Sequence, residues 1–447
     1  MSLETIPGTG IEYGLISFGA EGRERFDDPA GRMSQVLMDR VKQDRITNVF
    51  FFCHGWKGDV TAAREQYNSW IKAFATSADI QKAPEVFGEF RPLYIGLHWP
   101  SLPWGDEELA GGGDFGAVAA VAPDTLLNRY LARLGNQLEI RAPLEIILDE
   151  ARRNIAPEQL PPHVRQAYLD LNQALGLSSG DLGAPPDADR EAFDPDESFE
   201  AANEESASFG GGLNLGGLLG PLRQLSYWTM KKRARTIGEG GLHEFLSALQ
   251  TATSLDTRIH LMGHSFGTIV VSAMLGGPSA AGELPRPVDS VVLVQGAVSL
   301  WSYAASIPFP GAGRGYFNPI VAARKVRGPI VTTRSKWDKA VGVCYPLASR
   351  MKGSVEFAAG LPKYGGIGAF GIQGLPDNTR SEIPMAAATV AYDFEDGKVY
   401  NLDASKYICQ GKGASGAHSD IAGAEVAHAI WAAAFGRGAR GRAATAV

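Results

Sequence analysis

A serine with a glycine two positions to either side lies between two apolar segments of the chain. The sequence Gly263-His264-Ser265-Phe266-Gly267 follows the run IHLM and precedes the run TIVVSAML. This order predicts a strand, a sharp turn and a helix, the setting in which Gly-x-Ser-x-Gly exposes a serine hydroxyl above the edge of a sheet. Gly263 and Gly267 have no side chains and would let the helix pack close to neighbouring strands. We therefore predict that Ser265 is a nucleophile.

A second stretch, Gly176–Gly180 (GLSSG), fits the same letters. It follows a predicted helix and runs into an acidic segment, so it lacks the strand-turn-helix setting. Chance matches are expected in a chain with 54 glycines. The alternative interpretation of Ser265 is a tight glycine turn that contains an incidental serine.

A serine hydroxyl needs a base to remove its proton, and in proteins with this turn the order along the chain is serine, acid, histidine. Two of the eight histidines follow Ser265. His418 lies in the loop GKGASGAHSD, between the last predicted strand and the last predicted helix. His428 lies inside that helix, where a packed structural histidine is more usual. We predict that His418 is the base and that the rate falls as the pH drops through about 6 to 7.

The acid accepts the second imidazole N–H, which fixes the tautomer of the base. Asp338 in TTRSKWDKAVG closely follows the predicted strand PIVTT and lies between Ser265 and His418 in the chain, so it is our choice. Its alternative is a surface aspartate that pairs with Lys336 or Lys339. The alternative acids are Asp393, Asp396, Asp403 and Asp289. Asp289 is less attractive because it begins a strand.

A tetrahedral intermediate needs two backbone N–H donors aimed at its oxyanion. Phe266 N–H, at the start of the predicted helix, is one candidate. The second is Trp56 N–H, in the turn His54-Gly55-Trp56 that follows the apolar run NVFFFC, with Gly55 as the alternative donor. His54 is assigned no chemical role.

Apolar runs of strand length alternate with helical patterns on both sides of a long interruption. A strand, a helix capped by Asp59 and another strand predict a right-handed crossover in a parallel sheet. The predicted strands are 48–53, 92–97, 258–262, 290–295, 329–333 and 398–402. The predicted helices are 33–41, 60–74, 126–134, 164–175, 242–251, 265–275 and 421–435.

The regular alternation stops between residues 101 and 225, which we interpret as an insertion that could serve as a lid. Within it, residues 187–205 are acidic with Arg190 as the single counter-charge, so we expect this part to be solvated and mobile. Residues 210–222 are too rich in glycine to predict a helix and are interpreted as a flap. The whole chain, 1–447, is predicted to be one domain with a frayed tail at 436–447.

Taken together, the motifs HGW, GHSFG, SKWDKAVG and GAHSD resemble those of the α/β-hydrolase superfamily, over residues 46–100 and 242–435. The likeness is to a poorly characterised bacterial branch that is similar to esterases and lipases. It implies an eight-stranded, mostly parallel sheet with helices on both faces. The chain departs from the pattern because the long insertion precedes the nucleophile strand and because the first two strands are hard to place.

Composition narrows the function classes. The net charge of −7 and the pI of about 5.7 disfavour binding to nucleic acid. No basic segment followed by an apolar one opens the chain, and no apolar run approaches the ~20 residues that span a bilayer. We therefore expect a cytoplasmic protein, with export that needs no cleavable signal left open. The three cysteines indicate free thiols, and no cofactor or metal motif is present.

The predicted reaction is hydrolysis of a small-molecule or lipid carboxylic ester through an acyl-enzyme on Ser265. A peptidase, amidase or thioesterase would use the same three side chains, and a non-catalytic ligand-binding protein is the alternative from a different class. Oligomeric state is not predicted. The apolar residues that could contact an acyl group, or could simply pack the insertion, are Leu213, Leu215, Leu218, Leu219, Leu222, Trp301, Tyr303 and Phe309.

Overall fold

The computed structural model describes residues 3–26, 31–56, 59–102, 123–153, 157–208, 216–341, 357–358, 360–411 and 415–436. The tail expected at 436–447 lies outside these ranges except for Gly436. Leu213 and Leu215, two of the candidate acyl contacts, also lie outside them.

Nine strands form one twisted sheet in the described part of the chain, in the order β1-β2-β4-β3-β5-β6-β7-β11-β10. Only β1 is antiparallel to its neighbour, and the other pairs are parallel. The strands, including a separate β8-β9 pair, are β1 (Glu4–Thr5), β2 (Glu12–Ser17), β3 (Asn48–Cys53), β4 (Pro92–His98), β5 (Arg258–His264), β6 (Ser290–Val294), β7 (Ile330–Arg334), β8 (Phe357–Ala358), β9 (Leu361–Pro362), β10 (Arg380–Pro384) and β11 (Val399–Asp403). The predicted mostly parallel sheet is confirmed, with one strand more than expected.

Helices cover the sheet on both faces. They are α1 (Met33–Gln43), α2 (Val60–Ala75), α3 (Ala83–Phe87), α4 (Pro123–Leu134), α5 (Leu138–Arg153), α6 (Pro162–Ala174), α7 (Pro195–Ser208), α8 (Gly216–Ile237), α9 (His243–Ala252), α10 (Gly267–Gly276), α11 (Asn318–Ala322), α12 (Ile367–Phe370) and α13 (Ala424–Ala434). The predicted cap of α2 is present, because the Asp59 carboxylate accepts from Ala62 N–H at 2.7 Å. None of the helices in the described ranges has the length and apolar character needed to cross a membrane.

The burial of strand β3 explains why helices must cover both faces of the sheet. All six of its residues are buried, and successive side chains point to opposite faces. Val49 and Phe51 belong to the core under α1, α9 and α10. Phe50 and Phe52 belong to the core under α2 and α13. A strand that is apolar throughout therefore lies in the middle of the molecule, as expected of a parallel sheet.

The glycine-leucine segment was expected to be a flap, and that expectation is wrong from Gly216 onward. Residues 216–237 form α8, whose leucines at 218, 219, 222 and 225 are buried. Each glycine in a helix costs about 1 kcal/mol, whereas burial of each leucine gains about 1.5–3 kcal/mol. The buried leucine stripe therefore outweighs the weak propensity of Gly216, Gly217 and Gly220.

The acidic segment 187–205 was expected to be solvated, and this is corrected for its first part. Asp187, Asp189 and Arg190 are buried. The Asp187 carboxylate accepts two hydrogen bonds from Arg235 of α8, at 2.5 and 3.0 Å. From Pro195 the segment continues as α7. The counter-charge comes from a distant part of the sequence, which explains why a count of local charges overlooked it.

Helix α8 runs into α9 through a wide helical turn at Gly238–Leu242. A Cβ atom built on Gly238 would lie 2.6 Å from the carbonyl oxygen of Val270 in α10. Glycine is therefore needed at 238 for this close approach. Helix α8, which begins within the predicted insertion, thus leads directly into a turn that packs on the helix that follows Ser265.

Candidate active site

Ser265 lies in a strained turn between β5 and α10. Its φ angle is +56°, in the left-handed region that non-glycine residues seldom adopt. Its N–H donates to Val294 O at 3.1 Å, and its carbonyl accepts from Ala297 N–H and from the Thr268 hydroxyl, at 3.2 and 2.6 Å. Such a conformation costs about 1–3 kcal/mol and persists where its surroundings fix it. The turn thus holds the hydroxyl in one direction.

The two glycines of the motif lie where a side chain would collide with backbone. A Cβ atom on Gly263 would lie 2.5 Å from Gly267 O, and one on Gly267 would lie 2.7 Å from His54 O. Helix α10 therefore starts in contact with both β5 and the end of β3. This contact also brings the His54-Gly55-Trp56 turn next to Ser265.

The three side chains predicted for chemistry meet above the carboxyl edge of the sheet. His418 Nε2 lies 2.8 Å from Ser265 Oγ. His418 Nδ1 lies 2.8 Å from Asp338 Oδ2. The serine hydroxyl can donate to Nε2 while Nδ1–H donates to the carboxylate. This arrangement is able to withdraw a proton from the serine and to hold the resulting imidazolium beside a carboxylate.

Asp338 is fully buried and each of its carboxylate oxygens is hydrogen-bonded. Oδ1 accepts from Val341 N–H at 3.0 Å, and Oδ2 accepts from the Gln295 side-chain amide at 2.8 Å as well as from His418. Gln295 is held in turn by the Thr333 hydroxyl, which donates to its Oε1 at 2.9 Å. Because the Asp338 side chain has no exposed area, the interpretation of a surface aspartate paired with lysine does not apply.

Two of the fallback acids have other partners. Asp289 accepts from Ile259 N–H at 2.9 Å, near the amino end of β5 and far along the strand from Ser265. Asp403 forms an ion pair with Arg334 at 3.2 Å. The sequence analysis did not predict a role for Gln295. Its position could have indicated one, because it is a polar residue directly after the buried strand β6, at the carboxyl edge of the sheet.

The turn after β3 lies against the serine. A Cβ atom on Gly55 would lie 2.5 Å from Ser265 Cβ and 3.1 Å from its Oγ, so only glycine fits there. The ring of Trp56 packs on that of Phe266, with centroids 5.5 Å apart. Tyr227 of α8 completes the cluster, 5.1 Å from Phe266 and 5.7 Å from Trp56. The turn that carries Trp56 therefore lies beside Ser265, next to an aromatic wall to which α8 contributes.

A family model described as alpha/beta hydrolase matches residues 220–303, a stretch that includes β5, Ser265 and β6. The sheet order and its covering helices agree with this match. The match and the sheet together support membership of the α/β-hydrolase superfamily. Membership indicates hydrolase activity and leaves the substrate open. A search of curated proteins and a search of solved structures each returned no match.

His54 has a structural part in this α/β hydrolase. Its Nδ1–H donates to Gly55 O at 2.8 Å, and its Nε2 accepts from Trp99 N–H at 3.4 Å. Burial lowers the pKa of His54 to about 3, so the ring stays neutral. The neutral ring fixes the shape of the turn beside Ser265.

His428, the other histidine after Ser265, lies away from the site in this hydrolase. Its Nδ1 lies 2.6 Å from Asp79 Oδ2, and its Nε2 lies 2.9 Å from Val390 O. No group of three or more His, Cys, Asp or Glu side chains in the described ranges could hold a metal ion. Of the two histidines that follow Ser265 in the chain, His418 is therefore the one that lies beside it.

Proposed function

We propose that this α/β hydrolase is a serine hydrolase that cleaves carboxylic esters through an acyl-enzyme on Ser265. One observation supports the proposal most directly: Ser265 Oγ lies 2.8 Å from His418 Nε2, whose other nitrogen lies 2.8 Å from the buried carboxylate of Asp338. In this proposal Ser265 is the nucleophile, His418 the general base and Asp338 the acid.

The reaction proceeds in two halves. His418 takes the proton of Ser265 as Oγ attacks the ester carbonyl, and Phe266 N–H and Trp56 N–H stabilise the oxyanion, with Gly55 N–H as the alternative donor. The tetrahedral intermediate collapses, His418 protonates the departing alcohol, and an acyl-serine remains. Water then attacks the acyl-serine with His418 as base, which releases the acid and restores Ser265. No step requires a metal.

An apolar acyl group fits the surroundings of Ser265 best. Trp56, Tyr227 and Phe266 form an aromatic wall beside the serine. Of the residues that the sequence suggested for this role, Trp301 and Phe309 pack in a separate cluster with Leu182, and Leu218, Leu219 and Leu222 belong to the same core as Tyr227 and Phe266. The aromatic wall is therefore our basis for proposing an acyl chain, with lipid esters as the extreme case.

We also propose that residues 101–225 form one side of the substrate entrance within a single domain of 1–447. Helix α8 begins in this region and continues past it, and Tyr227 lies two residues beyond its proposed end. Shortening the loops of the insertion would then alter KM for long-chain esters more than for acetate esters. Equal effects on both would contradict a role at the entrance.

Labelling with a fluorophosphonate tests the proposed nucleophile. We expect wild type to take up one label and Ser265→Ala to take up none. Ser178→Ala is the matched control, because Ser178 lies in the second Gly-x-Ser-x-Gly stretch, and it should label as wild type does. Uptake by Ser265→Ala, or no uptake by wild type, would contradict the proposal.

A panel of p-nitrophenyl esters from acetate to palmitate, with matched amides and thioesters, tests the substrate class. We expect kcat/KM to rise with acyl length and the amides to be cleaved far more slowly than the esters. A preference for amides or thioesters would move the proposal to those classes. Falling activity with acyl length would remove lipid esters from it.

A further inference from the structure

His264, the residue before Ser265, connects three separate parts of the chain. It is the last residue of β5. Its Nε2 lies 2.9 Å from the backbone carbonyl oxygen of His418, and its Nδ1 lies 3.2 Å from Nε2 of Gln66 on α2. The side chain is buried, and its ring centroid lies 5.0 Å from that of His418.

These two contacts determine which ring nitrogen of His264 carries the hydrogen. A carbonyl oxygen can only accept, so His264 Nε2 carries the hydrogen. Nδ1 then has a lone pair, and the Gln66 amide donates to it. Burial, followed by the nearby His418, lowers the pKa of His264 to about 3, so the ring is neutral at physiological pH. In the neutral form both ring nitrogens have a partner, and neither needs water.

The contact matters because His418 lies in a loop. The loop is tied to the chain near Asp338 by Ala417 N–H, which donates to Trp337 O at 2.9 Å. His264 adds a tie on the other side, directly to the residue that carries the imidazole. The tie joins the turn that bears Ser265 to the loop that bears His418. The 2.8 Å separation between Oγ and Nε2 therefore depends on it.

We propose that His264 is a positioning residue: it fixes the main chain of His418 relative to Ser265, and Gln66 fixes the tautomer of His264. The inference rests on the proposed serine hydrolase function. It assigns His264 no contact with substrate. Loss of the tie lets the imidazole move relative to the hydroxyl, and a displacement of about 1 Å can cost on the order of 100-fold in rate.

The main test is His264→Phe, which keeps a ring of similar size and removes both nitrogens. We expect kcat per fluorophosphonate-reactive site to fall about 10- to 100-fold, the range found when partners that orient metal-binding histidines are removed. KM should stay close to wild type because the substrate contacts are unchanged. His264→Gln, whose amide can place a donor near the former Nε2, should recover a large part of kcat.

His260→Phe is the matched control. His260 is also a fully buried histidine of β5, stacked on Phe50 at 4.7 Å and hydrogen-bonded to Ser290, but it lies at the other end of the strand. This variant should lose stability and keep kcat per reactive site. Gln66→Met, on the half-buried side of α2, provides a second variant that is easier to fold. It should lower kcat several-fold with KM unchanged.

Wild-type kcat per reactive site in both His264→Phe and Gln66→Met would overturn the inference. A loss confined to KM, or one that His260→Phe reproduces, would overturn it as well. Failure of wild type itself to label would instead overturn the proposed function on which the inference rests.

Discussion

Two histidine–aspartate pairs occur in the part of the chain that the structure describes, and they differ in the group that faces the second ring nitrogen. In both pairs Nδ1 lies close to a buried carboxylate, at 2.8 Å for His418 and Asp338 and at 2.6 Å for His428 and Asp79. The Nε2 of His418 faces the hydroxyl of Ser265, whereas the Nε2 of His428 faces the carbonyl of Val390.

This difference decides what each pair can do. A hydroxyl can donate its hydrogen to Nε2, so His418 is able to accept a proton from it. A carbonyl can only accept, so the Nε2 of His428 donates to Val390 O and faces no hydroxyl from which it could take a proton. The first pair suits transfer of a proton, and the second suits the joining of α13 to the segment around Asp79. A histidine beside an aspartate is therefore insufficient to identify a base, and the third group must be known.

Replacement of the two histidines provides the largest contrast. We expect His418→Ala to lower kcat about 10⁴- to 10⁶-fold, because the serine loses its base. His428→Ala should keep kcat within about threefold of wild type per folded molecule. Ester hydrolysis normalised to folded protein measures both. A comparable loss in the two variants would mean that the pairs do not differ in the proposed way.

The aspartates give the next contrast. Asp338→Asn should lower kcat about 10⁴-fold, the loss found when the acid of such a set becomes an amide and the histidine adopts the wrong tautomer. Asp79→Asn should change kcat only a few-fold. Steady-state kinetics with a short-chain ester measures each variant. If Asp338→Asn retained more than a tenth of wild-type activity, a different acid would be required.

The free energy of unfolding should show the reverse order, with the larger loss on replacement of His428. His428→Leu leaves the Asp79 carboxylate buried, with Lys82 as its remaining charged partner at 2.8 Å. Loss of one member of a buried pair costs about 3–5 kcal/mol. We expect His418→Leu to cost less, because the buried Asp338 carboxylate that it leaves keeps its hydrogen bonds from Val341 N–H and the Gln295 amide. Urea denaturation of the two variants provides the comparison, and equal losses would remove the distinction.

The last effect concerns the pH dependence of stability that arises from buried histidines without a carboxylate partner. Burial lowers the pKa values of His54, His260 and His264 to about 3, below the value of about 6.5 in an unfolded chain. Below about pH 6.5 the unfolded chain therefore binds protons that the folded protein does not. The free energy of unfolding is highest above that pH and falls as the pH drops towards 3, by about 1.4 kcal/mol per pH unit for each histidine.

His260→Phe isolates one of these protons. At pH 5, unfolding in urea should take up about one proton fewer in this variant than in wild type. A pH indicator in weakly buffered solution measures the uptake. An unchanged uptake would mean that His260 is not kept neutral by burial.

The central strands and the positions of the three side chains proposed for catalysis could be predicted from the sequence for a physical reason. Strands β3, β4, β5, β6, β7 and β11 are buried on both faces, so they read as apolar runs, and their carboxyl ends form one edge. Ser265, Asp338 and His418 each follow such a run, and His418 lies within hydrogen-bonding distance of both Ser265 and Asp338. Their catalytic roles remain predictions.

The edge strands and the insertion could not be predicted in the same way. Strand β10 (RSEIP) is half-exposed and polar, and β1 has only two residues, so neither carries an apolar pattern. The burial of Asp187 depends on Arg235, 48 residues later. The contacts of Gln295 with Asp338 and of His264 with His418 likewise join distant segments. Neither the hydrophobic pattern nor the charge of a short segment indicates such contacts between distant segments.

The close approach of Gly238 to Val270 has a consequence for how this enzyme can diversify. Sequence added ahead of β5 runs through α8 to Gly238, which packs against α10, the helix that follows Ser265. The inserted sequence cannot be replaced independently of the rest of the fold, because a shift of α8 would also move α10. Variants selected in this region for new substrates should therefore change turnover together with affinity.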